Sequence, residues 1–89
     1  MHAHTKHPEI IKRLKRATGH LNSTIKMLED QRSCLDIAQQ LQAVEKAVAN
    51  AKKVLIHEHL DHCLDHAILA DGQVSPDVIR EFKEITKYL

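Results

Sequence analysis

CLDIAQQLQAVEKAVANAKKVLIHEHLDHCLDHAIL, residues 34 to 69, runs without a glycine or proline. Within it Ile37, Leu41, Val44, Val48, Ala51 and Leu55 recur at spacings of three and four, the period of one helix face. The stretch predicts one long helix, about 34 to 69. Upstream, Asp30-Gln31-Arg32-Ser33 is polar and interrupts the pattern, and Ser33 with Asp36 three residues on has the spacing of a helix cap. Before that break, Pro8 suits a first helical turn, and Ile11, Leu14, Ala17 or Thr18, Leu21, Ile25 and Leu28 form a second stripe. A first helix over about 8 to 29 follows. Downstream, Ala-Asp-Gly at 70 to 72 ends the long helix. Ser75-Pro76 then starts a third, with a short apolar face of Ile79, Phe82, Ile85 or Thr86, and Leu89.

Composition agrees with an all-α class. Hydrophobic residues make up 43% of the 89, with one Phe, one Tyr, no Trp, and two each of Gly and Pro, which favours helix packing over sheets. A chain this short reads as a single domain, 1 to 89, with residues 1 to 7 a flexible N-terminal segment. It buries little apolar surface on its own, so self-association is expected. No apolar run approaches the roughly 20 residues that span a bilayer, and the start MHAHTKHPEI lacks the apolar segment of a secretory signal. The expectation is a cytoplasmic protein that does not enter membranes. In such a reducing compartment two cysteines are more often ligands or redox groups than a disulfide.

The long helix constrains any shared site. At 1.5 Å per residue Cys34 and His59 would lie roughly 37 Å apart, and Cys34 and Cys63 roughly 43 Å. One chain cannot bring them to one ion or close a disulfide between them. A site that joins Cys34 to the histidine-rich end therefore needs a second subunit with its long helix antiparallel.

HEHLDHCLDH, residues 57 to 66, holds four of the eight histidines. Residues four apart share a helix face, so His59 and Cys63 can point at one ion, as can Glu58 with His62 and His62 with His66. His59 and Cys63 lie beside the apolar stripe, whereas His62 and His66 fall toward solvent. The first pair is the better site. Thiolate and imidazole suit Cu(I), Zn(II), Ni(II) or Co(II), and not Mg(II) or Ca(II). On residues alone, H-x-x-x-C is also compatible with a buried core cysteine, and His57, His62 and His66 with a solvated surface. His4 and His7 share the N-terminal MHAHTKH, which is equally compatible with a tail or tag.

The order of RLKRATGHL at 13 to 21, MLED at 27 to 30, C-L-D-I-x-x-Q-L-x-A-V from Cys34, and HEHLDHC at 57 to 63 resembles the CsoR/RcnR family of bacterial metal-sensing transcriptional repressors. The likeness covers about residues 10 to 69, with the third helix fitting in outline. Cys, His and Cys stand with 24 and 3 residues between them, as the family's ligands do. The resemblance implies three-helix protomers joined as antiparallel dimers with a four-helix-bundle core, two of which form a tetramer. It also implies a metal held by Cys34 of one subunit and by His59 and Cys63 of its neighbour. Nickel and cobalt branches add an N-terminal ligand 32 residues before the first Cys, which is His2 here. Copper sensors commonly lack that His and carry a Tyr before the first Cys and a Glu on helix three as outer partners. Here the first place is Ser33, and Glu81 meets the second only with two residues inserted in the preceding loop. Formaldehyde sensors have Pro at position 2 and persulfide sensors lack the middle His; both branches fit poorly.

The expected function is a metal-responsive repressor that binds operator DNA when metal-free and is released by Ni(II) or Co(II), derepressing efflux or resistance genes. A Cu(I) sensor of the same family is the alternative, and a metal chaperone or store without DNA binding is a rival from another class. No nucleophile and base pair or Gly-rich phosphate loop suggests an enzyme. No helix-turn-helix is legible, so DNA contact would rest on charge: Lys12, Arg13, Lys15 and Arg16 on helix one, with Lys52 and Lys53 on helix two. Arg16, within RxxGH, and Lys15 lead that set. His2 and KRLKR share one short segment, so recruiting the N-terminus to metal would reposition the basic cluster.

Overall fold

A computed structural model describes residues 7–65, 72 and 75–89. They form α1 (Pro8–Glu29), α2 (Cys34–Asp65) and α3 (Pro76–Ile85), followed by a 3-10 turn at Thr86–Tyr88, with no strand among the described residues. The chain divides into two compact units, one up to Lys52 and one from Lys53 onward.

In the first unit α1 and the opening turns of α2 form a hairpin. Pro8 occupies the first helical turn, where its missing N–H costs nothing. The other end of α1 closes through Gln31 at φ 56, with the Gln31 N–H on the Leu28 carbonyl and the Arg32 N–H on the Met27 carbonyl. Those two bonds satisfy carbonyls that the helix leaves open, in the pattern of a Schellman turn. Ser33 then accepts the Asp36 N–H on its hydroxyl at 3.1 Å, the cap expected from the spacing.

The seam keeps alternate members of the stripe expected on α2 and only one of that expected on α1. α1 buries Ile10, Ala17 and Thr24, and the first part of α2 buries Ile37, Val44 and Ala51. Each set recurs every seven residues, two turns, so each keeps to one narrow line along its helix. Alanine and threonine on that line let the helices approach closely, and the Thr24 hydroxyl turns back onto the His20 carbonyl and is satisfied there. Ile11, Leu14, Leu21, Ile25 and Leu28, expected in the core, are 40–56% exposed, as are Leu41 and Val48 on α2. Of the α1 stripe only Ala17 is buried.

Among the described residues of the second unit Ile56 is the most buried side chain, at 2%. α3 begins at Pro76 with Ser75 at its N-cap, but the Ser75 hydroxyl makes no capping bond, so the proline alone marks the start. Ile79 and Phe82 of its expected apolar face are exposed, while Ile85 and Thr86 are half-buried. Gly72 takes φ 86, a conformation that side-chain-bearing residues avoid, in keeping with its role after the long helix. The expected end of that helix at 69 lies outside the described residues.

Candidate metal centre

α2 and α3 bring one pair of the expected site residues together. His59 Nε2 stands 3.8 Å from Glu81 Oε1, with both side chains partly open to solvent. The carboxylate thus meets the middle residue of the Cys-His-Cys set, the position that sequence alone allowed Glu81 only with extra loop residues. A carboxylate against one nitrogen of a ligating imidazole fixes the ring's orientation.

Cys34 opens α2 as an exposed, unpaired thiol. Cys63 lies in α2 four residues after His59, and its side chain is outside the described part. Between Cys34 and His59 lie 24 residues of uninterrupted helix. His2, His4 and His66 are outside the described residues, and among those described no three His, Cys, Asp or Glu gather around a point. His57 is exposed, while His62 and Glu58 are half-buried on the same helix.

The basic residues are all exposed. Lys12, Arg13, Lys15 and Arg16 belong to a stretch of α1 that carries no acid between Glu9 and Glu29. Lys52 and Lys53, being adjacent, point about 100° apart on α2 and do not form one patch. Sequence reasoning passed over three polar residues on the hairpin: His20, whose Nε2–H donates to Gln40 Oε1, and Asn50. The available signal was Arg13, Arg16 and His20 recurring at three and four on the flank of α1 away from the leucines.

A family model described as metal-sensitive transcriptional repressor matches residues 6–88. The chain belongs to this family. Among metal-sensitive repressors it is 38% identical over 80 residues to the copper-sensing transcriptional repressor CsoR of Mycobacterium ulcerans, covering 89% of this chain and 68% of that one. It is 37% identical over 81 residues to CsoR of Bacillus subtilis, covering 89% and 80%. Against CsoR of Mycobacterium bovis the chain spans 51% of the relative's length. The nickel-responsive transcriptional regulator InrS shares the fold, with a TM-score of 0.80 over 100% of this chain and 99% of that one, at 24% identity. No helix of the described residues is long and apolar enough to cross a membrane.

Proposed function

We propose that this metal-sensitive repressor responds to Cu(I). In this reading the protein is a homotetramer, a dimer of antiparallel dimers, that occupies operator DNA when metal-free and leaves it when copper is bound. Cys34 of one protomer and His59 and Cys63 of its neighbour would hold the ion, since two thiolates and an imidazole suit a soft monovalent metal. The observation that carries the copper reading is Glu81 at 3.8 Å from His59 Nε2, because a helix-three carboxylate is the outer partner that the copper branch is expected to have. The copper-sensing names of the relatives at 37–38% identity support it. With Nε2 turned toward Glu81, Nδ1 is the nitrogen assigned to the metal. By linkage, DNA must weaken metal binding by the factor by which metal weakens DNA binding, commonly about 1–3 kcal/mol.

His2 favours a second reading. As a fourth donor it would complete a square-planar set for Ni(II), and it would serve Co(II) as well, whereas Cu(I) is content with three. Titrating the DNA-bound protein with each ion, with and without His2→Ala, separates the two. The copper reading expects Cu(I) to release the duplex from both forms and Ni(II) from neither. Release by Ni(II) alone, lost in the His2→Ala protein, would replace it.

A further inference from the structure

Cys34 is the first residue of α2, where a helix frays most readily, and its thiol is exposed. The residues around it leave the chain little freedom there. On the α1 side the Arg32 N–H is bonded to the Met27 carbonyl at 2.9 Å, which locks the turn up to the second residue before Cys34. On the α2 side the Ser33 hydroxyl accepts the Asp36 N–H at 3.1 Å, and the Ser33 carbonyl accepts the Ile37 N–H at 3.1 Å. Both of these bonds span Cys34. Arg32 thus closes one helix and Ser33, the next residue, opens the other, with no residue of slack between them.

Two interactions tie Asp36 to the residues before Cys34, and they differ in weight. Arg32 Nη2 lies 3.8 Å from Asp36 Oδ2 with both side chains about half exposed, the kind of pair that water screens and that contributes little. The Ser33 bond counts for more, because it satisfies one of the backbone donors that a helix start leaves open, and serine is among the best residues for that task. A ligand on the first turn is competent only while that turn is formed, and its affinity for metal falls in proportion. His59 has no such dependence: it lies well inside α2, with helix on both sides and Glu81 at 3.8 Å. Of these two ligand positions, Cys34 is the one whose placement hangs on a single cap.

We propose that Ser33 is a positioning residue for the metal site and acts through Cys34: its cap keeps the first turn of α2 formed, and so holds the thiol where it can share an ion with the neighbouring protomer's ligands. Ser33 does this without touching the metal. The inference rests on the copper reading and deepens it. It gives the site two separate supports, Glu81 on α3 for His59 and Ser33 at the start of α2 for Cys34.

The test uses the full-length protein, titrated with Cu(I) in competition with a chelator. Ser33 is exposed, so Ser33→Ala keeps the fold, which circular dichroism checks. It should weaken Cu(I) binding about fivefold, since losing the cap lowers the population of the formed turn by about that factor. Ser33→Asn, which caps as well as serine does, should restore the wild-type affinity. The same Ser33→Ala exchange is then made in a Cys34→Ala protein, where Cu(I) has only His59 and Cys63 to bind. There it should change the affinity by less than about twofold, because an effect that acts through Cys34 vanishes with Cys34. An equal loss with and without Cys34 would mean a general structural role and overturns the proposal. Unchanged Cu(I) affinity in Ser33→Ala overturns it too, as does a Ser33→Asn protein as weak as Ser33→Ala. A Cys34→Ala protein that binds Cu(I) as tightly as the wild type would instead remove Cys34 from the site, and the copper reading with it.

Discussion

Glu81 is the residue on which the proposed choice of metal rests. Its carboxylate stands 3.8 Å from His59 on a different helix, so the proposed site would link the imidazole to α3. Glu81→Gln keeps the shape and removes the charge. The proposed site then predicts about tenfold weaker Cu(I) binding, in the range for loss of a ligand's outer partner. It also predicts a smaller difference in operator affinity between metal-free and metal-bound protein. Competition against a Cu(I) chelator reads the first effect and anisotropy the second; full coupling in the variant would place the lever elsewhere. Sequence alone supplied most of the residues of the proposed site. The spacing of Cys34, His59 and Cys63 and the possible part of Glu81 were legible. The meeting of Glu81 with His59 was not, because it depends on how α3 sits against the end of α2, and a count of the residues between them gives no geometry.

At the scale of elements the helix spans follow from simple chemistry, and the seam does not. Pro8, the Ser33 cap and the polar break at 30–33 mark α1 and the start of α2 where expected, since each acts locally. The apolar stripe of α1 misled, while that of α2 supplied Ile37, Val44 and Ala51, because hydrophobicity says which residues leave water but not what they meet. Leu14 and Leu21 outweigh Ala17 and Thr24 in any such reading, yet the small residues are the ones that permit close helix contact. The cavity lined by Arg13, Arg16, Ala17, His20, Ala47 and Asn50 was illegible for the same reason: it needs residues of two helices to line one space. The turn after α1 offers a test of local strain. Gln31 adopts φ 56, a left-handed conformation that costs a side-chain-bearing residue roughly 1 kcal/mol. Gln31→Gly should therefore stabilise the protein by about 0.5–1 kcal/mol, seen as a higher urea midpoint with unchanged slope. A lower midpoint would mean that the turn draws more from the glutamine side chain than from backbone freedom.

For the whole molecule, the exposed apolar face is the feature that a single chain leaves unexplained. Leu14, Leu21, Ile25 and Leu28 on α1, with Leu41 and Val48 on α2, are each at least 40% exposed. A contiguous apolar surface of this kind marks an interface more often than open solvent. Leu21→Glu leaves the Ala17–Thr24 seam intact, so the hairpin should stay helical by circular dichroism while sedimentation velocity shows smaller species and operator binding falls. A variant that stays tetrameric would move the protomer contact off this face. The proposed site makes a stricter claim, because it draws Cys34 from one chain and His59 and Cys63 from another. Cys34→Ala and His59→Ala proteins should each fail to release DNA with Cu(I). When the two are unfolded together and refolded, a mixed pair contains one site with every ligand intact and one with two ligands missing. At random mixing about one site in four should recover in a two-fold pair of this kind. Cu(I) bound per chain, resistant to a chelator that strips both parent variants, measures that recovery. Recovery of none would overturn the site shared between Cys34 of one protomer and His59 and Cys63 of its neighbour.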